Sequence, residues 1–398
     1  MALHRRRDWG AVAVTAVLLA GCANEGSPSA TAESGDPGES AGAGECNITV
    51  NEDGSIEPLA DGFPNQPFTI VSADDPGASD GIYGLGIKEA IDRLGLTDQR
   101  VTVVDRPDLG AQYGTWEALR FIGDQPGGDE GYLLAVGTVP GSTTDLIQTE
   151  VMENYGMDVE SLNVLITSEF IPYVLVSRPD APWGSSYEEL IQYGLDNPDE
   201  PLRYISRGPG AGVDLAFTHY SMIAAQQAGL PEGEVAIPIE FIVGGSHQEI
   251  NATVGAGEGD ITNTIMETGV QFAEDGHTVI LLFGGNAPAP EAYSDVPTAR
   301  DVFGEDLPND PWGQNRFLFA AEGIDECHHE WLVTMMEQVM ADEEYQENRL
   351  QIPGLALTDV NREDTWEMAR VAFDAACQIL IQQDLVHETV IEAGHCEE

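Results

Sequence analysis

Residues 201–220 read PLRYISRGPGAGVDLAFTHY, and this stretch decides how the rest of the chain is interpreted. Residues 202–205 are short, apolar-rich and prone to β structure, so they predict a strand. Residues 206–212 place three glycines and one proline within seven positions. Residues 213–227 then carry apolar side chains at helical spacing. The stretch therefore predicts a strand, a glycine-rich turn and a helix, in that order.

A helix that starts directly after such a turn can bind an anion. Its first turn has free N–H groups and the positive end of the helix dipole, and glycine lets a ligand approach the backbone. The arrangement suits a carboxylate or a phosphate group. The alternative is an ordinary βα turn whose glycines serve only packing.

The charge of the chain is not that of an ordinary globular protein. The 398 residues allow two domains or one large one, and a hydrophobic share of 42% is usual. Sixteen Lys and Arg residues against 69 Asp and Glu residues give a net charge of −53, and Lys88 is the only lysine. Such self-repulsion is screened at molar salt, where the Debye length is about 3 Å. We therefore expect a halophilic protein; the alternative is an acidic secreted protein from ordinary salt. Nucleic acid is a poor partner for it.

The N-terminus has the order of a secretion signal. A basic segment at residues 5–7 precedes an apolar segment at residues 11–20, which is too short to span a bilayer. Residues 19–22 read Leu-Ala-Gly-Cys and resemble the lipobox of bacterial lipoproteins. That resemblance implies lipidation of Cys22 and anchoring at the outer face of the cell membrane. The alternative is a plain secretory signal. Residues 23–45 have almost no large apolar side chain and predict a disordered tether.

Four further cysteines predict two disulfides, because an exported chain with an even number of cysteines usually pairs them. Three pairings are possible. We expect Cys327–Cys377, which would join two C-terminal helices, and Cys46–Cys396, which would staple the two ends of the body. The Cys-His-His run at 327–329 suggests a metal site as an alternative. No second cluster lies at ligand spacing, so no metal is expected.

The body alternates strands and helices. Strands are predicted at 68–71, 101–104 and 131–136, with helices at 81–94 and 113–121 between them. This βαβαβ order indicates a parallel α/β sheet. Further strands are predicted at 162–166, 173–176, 237–243, 260–265 and 279–283, and further helices at 185–193, 247–254, 327–341, 343–349 and 362–383.

Several short segments match one family in order over about residues 67–385. They are Pro-Gly-Ala-Ser-Asp at 76–80, Asp-Arg-Pro-Asp-Leu-Gly at 105–110, Gly-Tyr-Leu-Leu at 131–134, the glycine-rich turn at 206–212, and Val-Gly-Gly at 243–245. In this order they resemble the substrate-binding proteins of tripartite tricarboxylate transporters, also called the Bug family. The sequence departs from the family pattern at Asp108, Arg207, Gly212 and Val243. These departures affect the identity of the ligand more than the fold.

The resemblance implies the two-lobed type II periplasmic-binding-protein fold, an α/β fold with a ligand cleft between the lobes. The family binds small carboxylates and delivers them to a membrane permease, without catalysis or a cofactor, and we expect a monomer. The predicted organisation is a signal peptide at 1–22, a tether at 23–45, lobe one at 46–175 with 285–398, and lobe two at 176–284. The chain would cross between the lobes near residues 171–176 and 282–286.

The resemblance also implies which residues bind the ligand, mostly through backbone N–H groups. The candidates are Gly77, Ala78, Ser79, Asp80, Gly137 and Thr138 in lobe one, and Arg207, Gly208, Gly210, Ala211, Gly212, Gly244 and Gly245 in lobe two. Arg207 is the candidate for a bidentate carboxylate contact, against the alternative that it points into solvent. Asp80 is expected to cap its helix or brace its loop rather than to contact an anion.

Three other functions fit parts of the sequence. Residues 77–81 match Gly-x-Ser-x-Gly between a strand and a helix, which is the context of a hydrolase with Ser79 as nucleophile and His387 or His395 as base. An HGGG-like oxyanion loop is missing from the sequence. A binding protein of an ABC importer shares the fold, and so does a sensory lipoprotein that passes its ligand to a receptor.

Overall fold

The structure, a computed structural model, describes residues 46–109, 114–142, 159–207, 210–285, 289–307, 310–382 and Cys396. Within these residues ten strands form one mixed sheet. In chain order they are β1 (Phe68–Ser72), β2 (Val101–Asp105), β3 (Leu133–Val139), β4 (Asn163–Ser177), β5 (Leu202–Ser206), β6 (Ile239–Val243), β7 (Ile261–Ile265), β8 (Val279–Phe283), β9 (Gly313–Ala320) and β10 (Ala356–Val360).

The helices of the described residues follow the predicted pattern, with ends shifted by at most three residues where a helix was predicted. They are α1 (Ser79–Leu94), α2 (Gly114–Asp124), α3 (Tyr187–Asp196), α4 (Gly212–Gln227), α5 (His247–Gly255), α6 (Met266–Glu274), α7 (Ala299–Phe303), α8 (Glu326–Ala341), α9 (Glu343–Arg349) and α10 (Arg362–Gln382). None of them combines the length and apolar composition that crossing a bilayer requires.

The first half of the sheet contains the predicted parallel βαβαβ unit. β1 pairs in parallel with β2 on one side and with β3 on the other. α1 and α2 make the two connections, and their apolar faces bury Tyr83, Ile87 and Trp116 in a first hydrophobic core. The parallel order brings the carboxyl ends of all three strands, and the starts of α1 and α2, to one edge.

The second half of the sheet repeats this arrangement around a second core. β5 pairs in parallel with β6 and with β7. α4 is apolar on most of its surface and buries Phe217 and Tyr220 in the second core. α4 and α5 both begin at the carboxyl ends of strands, as α1 does in the first half. The predicted α/β fold with two lobes is confirmed.

β4 joins the halves as one strand of 15 residues, so the two separate strands predicted at 162–166 and 173–176 were wrong. Its first part pairs with β9 and β10, and its second part with β7 and β8. Val164 belongs to the first core and Val174 to the second. β9 also passes from one core to the other. Trp312, directly before β9, belongs to the second core, and Phe317, within β9, belongs to the first. The lobe boundaries at 175–176 and 284–285 remain a prediction. Within β4 and β9 the buried side chains pass from one hydrophobic core to the other.

The disulfides are Cys46–Cys327 and Cys377–Cys396, so both expected pairings were wrong. Cys327 lies at the start of α8, against which residues 46–63 pack: Trp331 Nε1, for example, donates to the carbonyl of Glu57 at 3.0 Å. Cys377 instead lies buried in the second core, on the later part of α10. The cysteine of α10 is therefore buried in the second core, while the half-buried cysteine of α8 pairs with Cys46 outside both cores.

Candidate functional site

α1 starts with an N-terminus that its own side chains leave open. Its N-cap residue is Ala78, which makes no side-chain capping bond, and the preceding Gly77 has φ +85°. A helix normally satisfies its first N–H groups with a Ser, Thr, Asp or Asn side chain at this position. The predicted residues Gly77, Ala78, Ser79 and Asp80 thus lie at an uncapped helix start beyond the carboxyl end of β1.

α4 has the same property on the other lobe. Its N-cap is Ala211, again without a side-chain capping bond, and it begins at Gly212. The turn before it is held at both sides: Ser206 Oγ donates to Asp214 Oδ2 at 2.6 Å, and Asn263 Nδ2 donates to the carbonyl of Val213 at 2.8 Å. Gly210 has φ +97°, and Gly208 lies outside the described residues. The turn is therefore fixed while its helix start remains uncapped.

The start of α4 touches the end of β3. A Cβ added to Gly212 would lie 3.0 Å from Pro140 Cγ and 3.1 Å from Tyr173 Oη. Pro140 lies two residues after Thr138, which is half-buried and is one of the residues predicted to bind the ligand. Glycine lets the start of α4 approach Pro140 this closely, and a larger residue would require Pro140 or Tyr173 to shift. At Gly137 glycine is explained by packing within the lobe, since a Cβ there would lie 2.5 Å from the Phe317 ring.

α5 differs from the other two helices because its start is already capped. Ser246 Oγ accepts a hydrogen bond from the N–H of Glu249 at 3.3 Å. The preceding Gly244 packs tightly, since a Cβ there would lie 2.6 Å from Ile250 Cγ2. Gly244 and Gly245 therefore lead into a helix with fewer free N–H groups than α1 or α4 offers.

Arg207 acts electrostatically on groups of both lobes. Burial and the charge of Asp80 raise the pKa of Asp74, and the Arg207 charge opposes that rise. Burial lowers the pKa of His247 well below its usual value, and the Arg207 charge lowers it further. Since Asp74 follows β1 and His247 starts α5, the guanidinium lies within electrostatic reach of both sides of the cleft.

The lobe-one side of the cleft is acidic. Besides Asp74 and Asp80 it carries Asp105, whose pKa is raised first by burial and then by the charge of Asp74. Asp105 lies against the first turn of α1, where a Cβ on Gly81 would be 2.5 Å from its Oδ1. These charges make the start of α1 less favourable for an anion than the start of α4, where Arg207 is near.

Asp80 contacts a buried arginine that the sequence did not single out. Its Oδ1 lies 3.0 Å from Nε of Arg316 on β9. Arg316 also donates from Nη1 to Glu169 Oε2 at 2.9 Å, and Arg349 Nη2 donates to the same oxygen at 3.0 Å. Arg316 and Glu169 have no exposed surface. The signal in the sequence was a lone arginine four residues after Trp312 and directly before the apolar run 317–320.

The residues of the alternative metal and hydrolase sites either make structural contacts or lie outside the described residues. His328 stacks on Phe63 and binds Asp61 through Nε2 at 2.8 Å, while Cys327 is in a disulfide. Among the described side chains no group of three His, Cys, Asp or Glu could hold a metal ion. His387 and His395, the bases proposed for a hydrolase, lie outside the described residues.

A surface depression of about 270 Å³ lies beside the starts of α3 and α7. Two of its lining residues, Ser186 and Asp301, take part in capping those helices. It is lined by none of the residues predicted to bind the ligand, so we do not assign the site to it.

Solved structures of periplasmic binding proteins share the fold of this chain. One titled as a periplasmic transporter superposes with a TM-score of 0.63 at 15% identity, covering 81% of this chain and 99% of its own. The binding protein BugD gives 0.62 at 18%, covering 81% and 99%. MatC from Rhodopseudomonas palustris, with bound malate, gives 0.57 at 18%, covering 82% and 100%.

The sequence comparisons found nothing: neither a family model nor a curated protein matches. The structural similarity agrees with the resemblance to the Bug family that the short sequence segments indicate. These structures and this chain superpose over most of their lengths, and in this chain that body is a two-lobed α/β fold. The chain thus has the fold of the TctC and Bug type of periplasmic solute-binding proteins.

Proposed function

We propose that this protein is an extracytoplasmic, lipid-anchored receptor that binds a small carboxylate between its lobes and delivers it to a membrane permease of the tripartite tricarboxylate type. The observation that carries the proposal is the pair of uncapped helix starts, Ala78 of α1 and Ala211 of α4, on opposite lobes. Free N–H groups at a helix start bind carboxylates without a cationic side chain. This suits a chain of net charge −53.

Two further points support a carboxylate ligand. Arg207 adds a guanidinium within reach of both lobes, and a guanidinium matches the geometry of a carboxylate. Structures with this fold contain such ligands: MatC has bound malate, and an R. palustris protein superposing with a TM-score of 0.61 at 15% identity has bound adipate. The lipid on Cys22 would keep the receptor near its permease, and closure of the lobes on the ligand would provide the form that the permease recognises.

A thermal-shift screen in molar salt tests the proposal. The chain without its first 22 residues is heated with a panel of organic acids, phosphonates, sulfonates and cyclic nitrogenous compounds. A tight ligand at a hundredfold excess over its Kd adds about 2.7 kcal/mol to the free energy of unfolding. We expect one or a few carboxylates to raise the Tm. A response confined to the other compounds would move the assignment to another transport class.

Arg207→Ala tests the charged contact. Removing a guanidinium that donates to a carboxylate should weaken binding at least about tenfold, because a hydrogen bond to a charged group contributes about 1.5–3 kcal/mol. Calorimetric titration with the carboxylate found in the screen measures the change. Arg120→Ala is the matched control, since Arg120 lies exposed in the second half of α2 and pairs with Glu117. Equal affinities of the Arg207→Ala variant and the unmodified protein would contradict the assignment.

A further inference from the structure

Arg316 lies where β9 passes from one core to the other. In the sheet it is paired with Thr138 of β3 on one side and with Glu169 of β4 on the other. Its side chain has no exposed surface. A charged side chain so buried must be neutralised and hydrogen-bonded, or it destabilises the fold by several kcal/mol.

The guanidinium is only partly satisfied by the protein. Nη1 donates to Glu169 Oε2 at 2.9 Å. Nε lies 3.0 Å from Asp80 Oδ1, an ion pair without the alignment of a hydrogen bond. Nη2 is buried and has no hydrogen-bond partner among the described residues. Buried donors without a partner are rare in folded proteins, because each loses its hydrogen bonds to water without replacement. Nη2 therefore calls for an explanation that the fold does not supply.

The groups facing Arg316 come from both lobes. Asp80, at the start of α1, contacts it from lobe one. His247 and Glu267 act on it electrostatically from lobe two. Burial and the Arg207 charge lower the pKa of His247, and the Arg316 charge lowers it further. Burial lowers the pKa of Arg316, and the Glu267 charge helps to raise it. His247 starts α5 and Glu267 lies in the first turn of α6. The guanidinium thus contacts the start of α1 directly, while charged groups at the starts of α5 and α6 lie within electrostatic range of it.

The surrounding charges limit what can bind there. Glu169 serves two guanidinium groups, Arg316 and Arg349, while Asp80 pairs with Arg316 from the cleft side. Two positive charges thus face two negative ones, and Glu267 adds another negative charge from lobe two. A single carboxylate can pair with Nη2 in this setting, whereas two carboxylates side by side would repel these acidic groups. These five groups sum to one negative charge, so a carboxylate would be held there by the unpartnered Nη2 donor and not by net attraction. Since Nη2 has no exposed surface, the ligand would reach it when the lobes move apart.

We propose that Arg316 is a ligand-binding residue, with Nη2 donating to a carboxylate oxygen of the ligand at the floor of the cleft. Glu169 and Asp80 act as positioning residues that fix the plane of the guanidinium before the ligand arrives. This inference rests on the proposed function and assigns it a second cationic contact, independent of Arg207. One carboxylate of the ligand binds at the floor, apart from the group that the start of α4 holds.

The test compares Arg316→Gln and Arg316→Lys with Arg349→Lys, using malate and adipate as probes. Both arginines hold Glu169, so all three variants should lower the Tm. Only the Arg316 variants remove the contact with the ligand, and we expect each of them to weaken binding at least about tenfold by calorimetry. Arg349→Lys should bind within about twofold of the unmodified protein. Unchanged affinity in a folded Arg316 variant, or an equal loss in Arg349→Lys, would overturn the inference.

A second measurement needs no change at position 316, should those variants not fold. In the Arg207→Ala background, adipate is compared with its half-amide, which has one carboxylate replaced by a neutral group of similar shape. If Arg316 binds a carboxylate, the half-amide should still bind at least about tenfold more weakly. Equal binding of the two would refute the contact. If the unmodified protein binds no carboxylate at all, the proposed function itself fails, so the two failures are distinguishable.

Discussion

His219, on α4, must stay neutral in the folded protein. Its Nδ1 accepts a hydrogen bond from Trp312 Nε1 at 2.8 Å, so a proton on Nδ1 would break that bond. Burial lowers the pKa of His219 to about 4. In the unfolded chain the pKa is near 6.5, and below that value the unfolded state binds a proton that the folded state does not. The contribution of His219 to stability is thus complete above pH 6.5 and is lost as the pH falls towards 4.

We therefore predict that His219→Gln makes the free energy of unfolding less dependent on pH between 6.5 and 4. Glutamine can still accept from the tryptophan but does not titrate. At pH 5 the loss due to His219 should approach about 2 kcal/mol relative to pH 7. Denaturant titrations of both proteins at pH 7 and pH 5, in the same molar salt, measure the difference. Parallel pH profiles would show that folding does not lower the pKa of His219.

Single residues were predictable where local sequence sets their position. Gly77 to Asp80 and Ala211 to Gly212 follow strands directly, so their place at helix starts could be inferred. The Arg316–Glu169 pair could not, because the two residues are 147 positions apart and meet only through the pairing of β9 with β4. The Cys46–Cys327 disulfide was missed for the same reason, since its cysteines are 281 positions apart and meet only through the packing of residues 46–63 against α8.

Among the elements, the start of α4 makes a close contact with the other lobe, at Gly212. A methyl group there would lie 3.0 Å from Pro140 Cγ, which is tighter than ordinary packing. We predict that Gly212→Ala weakens carboxylate binding about tenfold or more by holding the lobes apart, while the Tm without ligand changes little. The reason is that the substitution disturbs the contact with Pro140 and Tyr173, and α4 itself tolerates alanine well.

Calorimetry and small-angle scattering with and without ligand check this prediction. The unmodified protein should become more compact on binding, and the Gly212→Ala protein should not. Gly229→Ala is a useful comparison, because this glycine lies after α4 with φ +83° and open space around it. That variant should lose stability without losing affinity. A Gly212→Ala protein that closes and binds normally would contradict the steric argument.

β4 shows why element boundaries were harder to predict than element types. The run Thr167-Ser168-Glu169 and then Pro172 interrupt its apolar pattern, which suggested two strands. In the fold the strand continues, because Glu169 is neutralised by Arg316 and Arg349 and Thr167 bonds to Thr365 at 2.8 Å. β9 was missed because its first four residues, Gly313 to Arg316, lack large apolar side chains; of these, Arg316 belongs to the same buried cluster. The polar break marks the crossing between lobes.

At the scale of the whole molecule, charge is the dominant feature. If each of the sixteen basic residues neutralised one carboxylate, 53 acidic groups would remain, which is the net charge of −53. The ion pairs of the described residues include local ones on the surface, such as Lys88–Asp92 and Arg106–Asp108, and such exposed pairs contribute little. The folded state brings these carboxylates closer together than the unfolded chain does, so low salt should penalise folding.

We predict that the Tm rises steeply with NaCl between 0.1 M and 3 M, because the Debye length falls from about 10 Å to below about 3 Å. Salt also strengthens apolar burial, so the screening part must be separated. Repeating the titration at pH 4.5, where many carboxylates are partly protonated, should reduce the slope of Tm against salt. Sucrose at matched osmolality should not reproduce the rise. A Tm that is independent of salt at pH 7 would contradict the halophilic interpretation and leave an acidic receptor suited to ordinary salt.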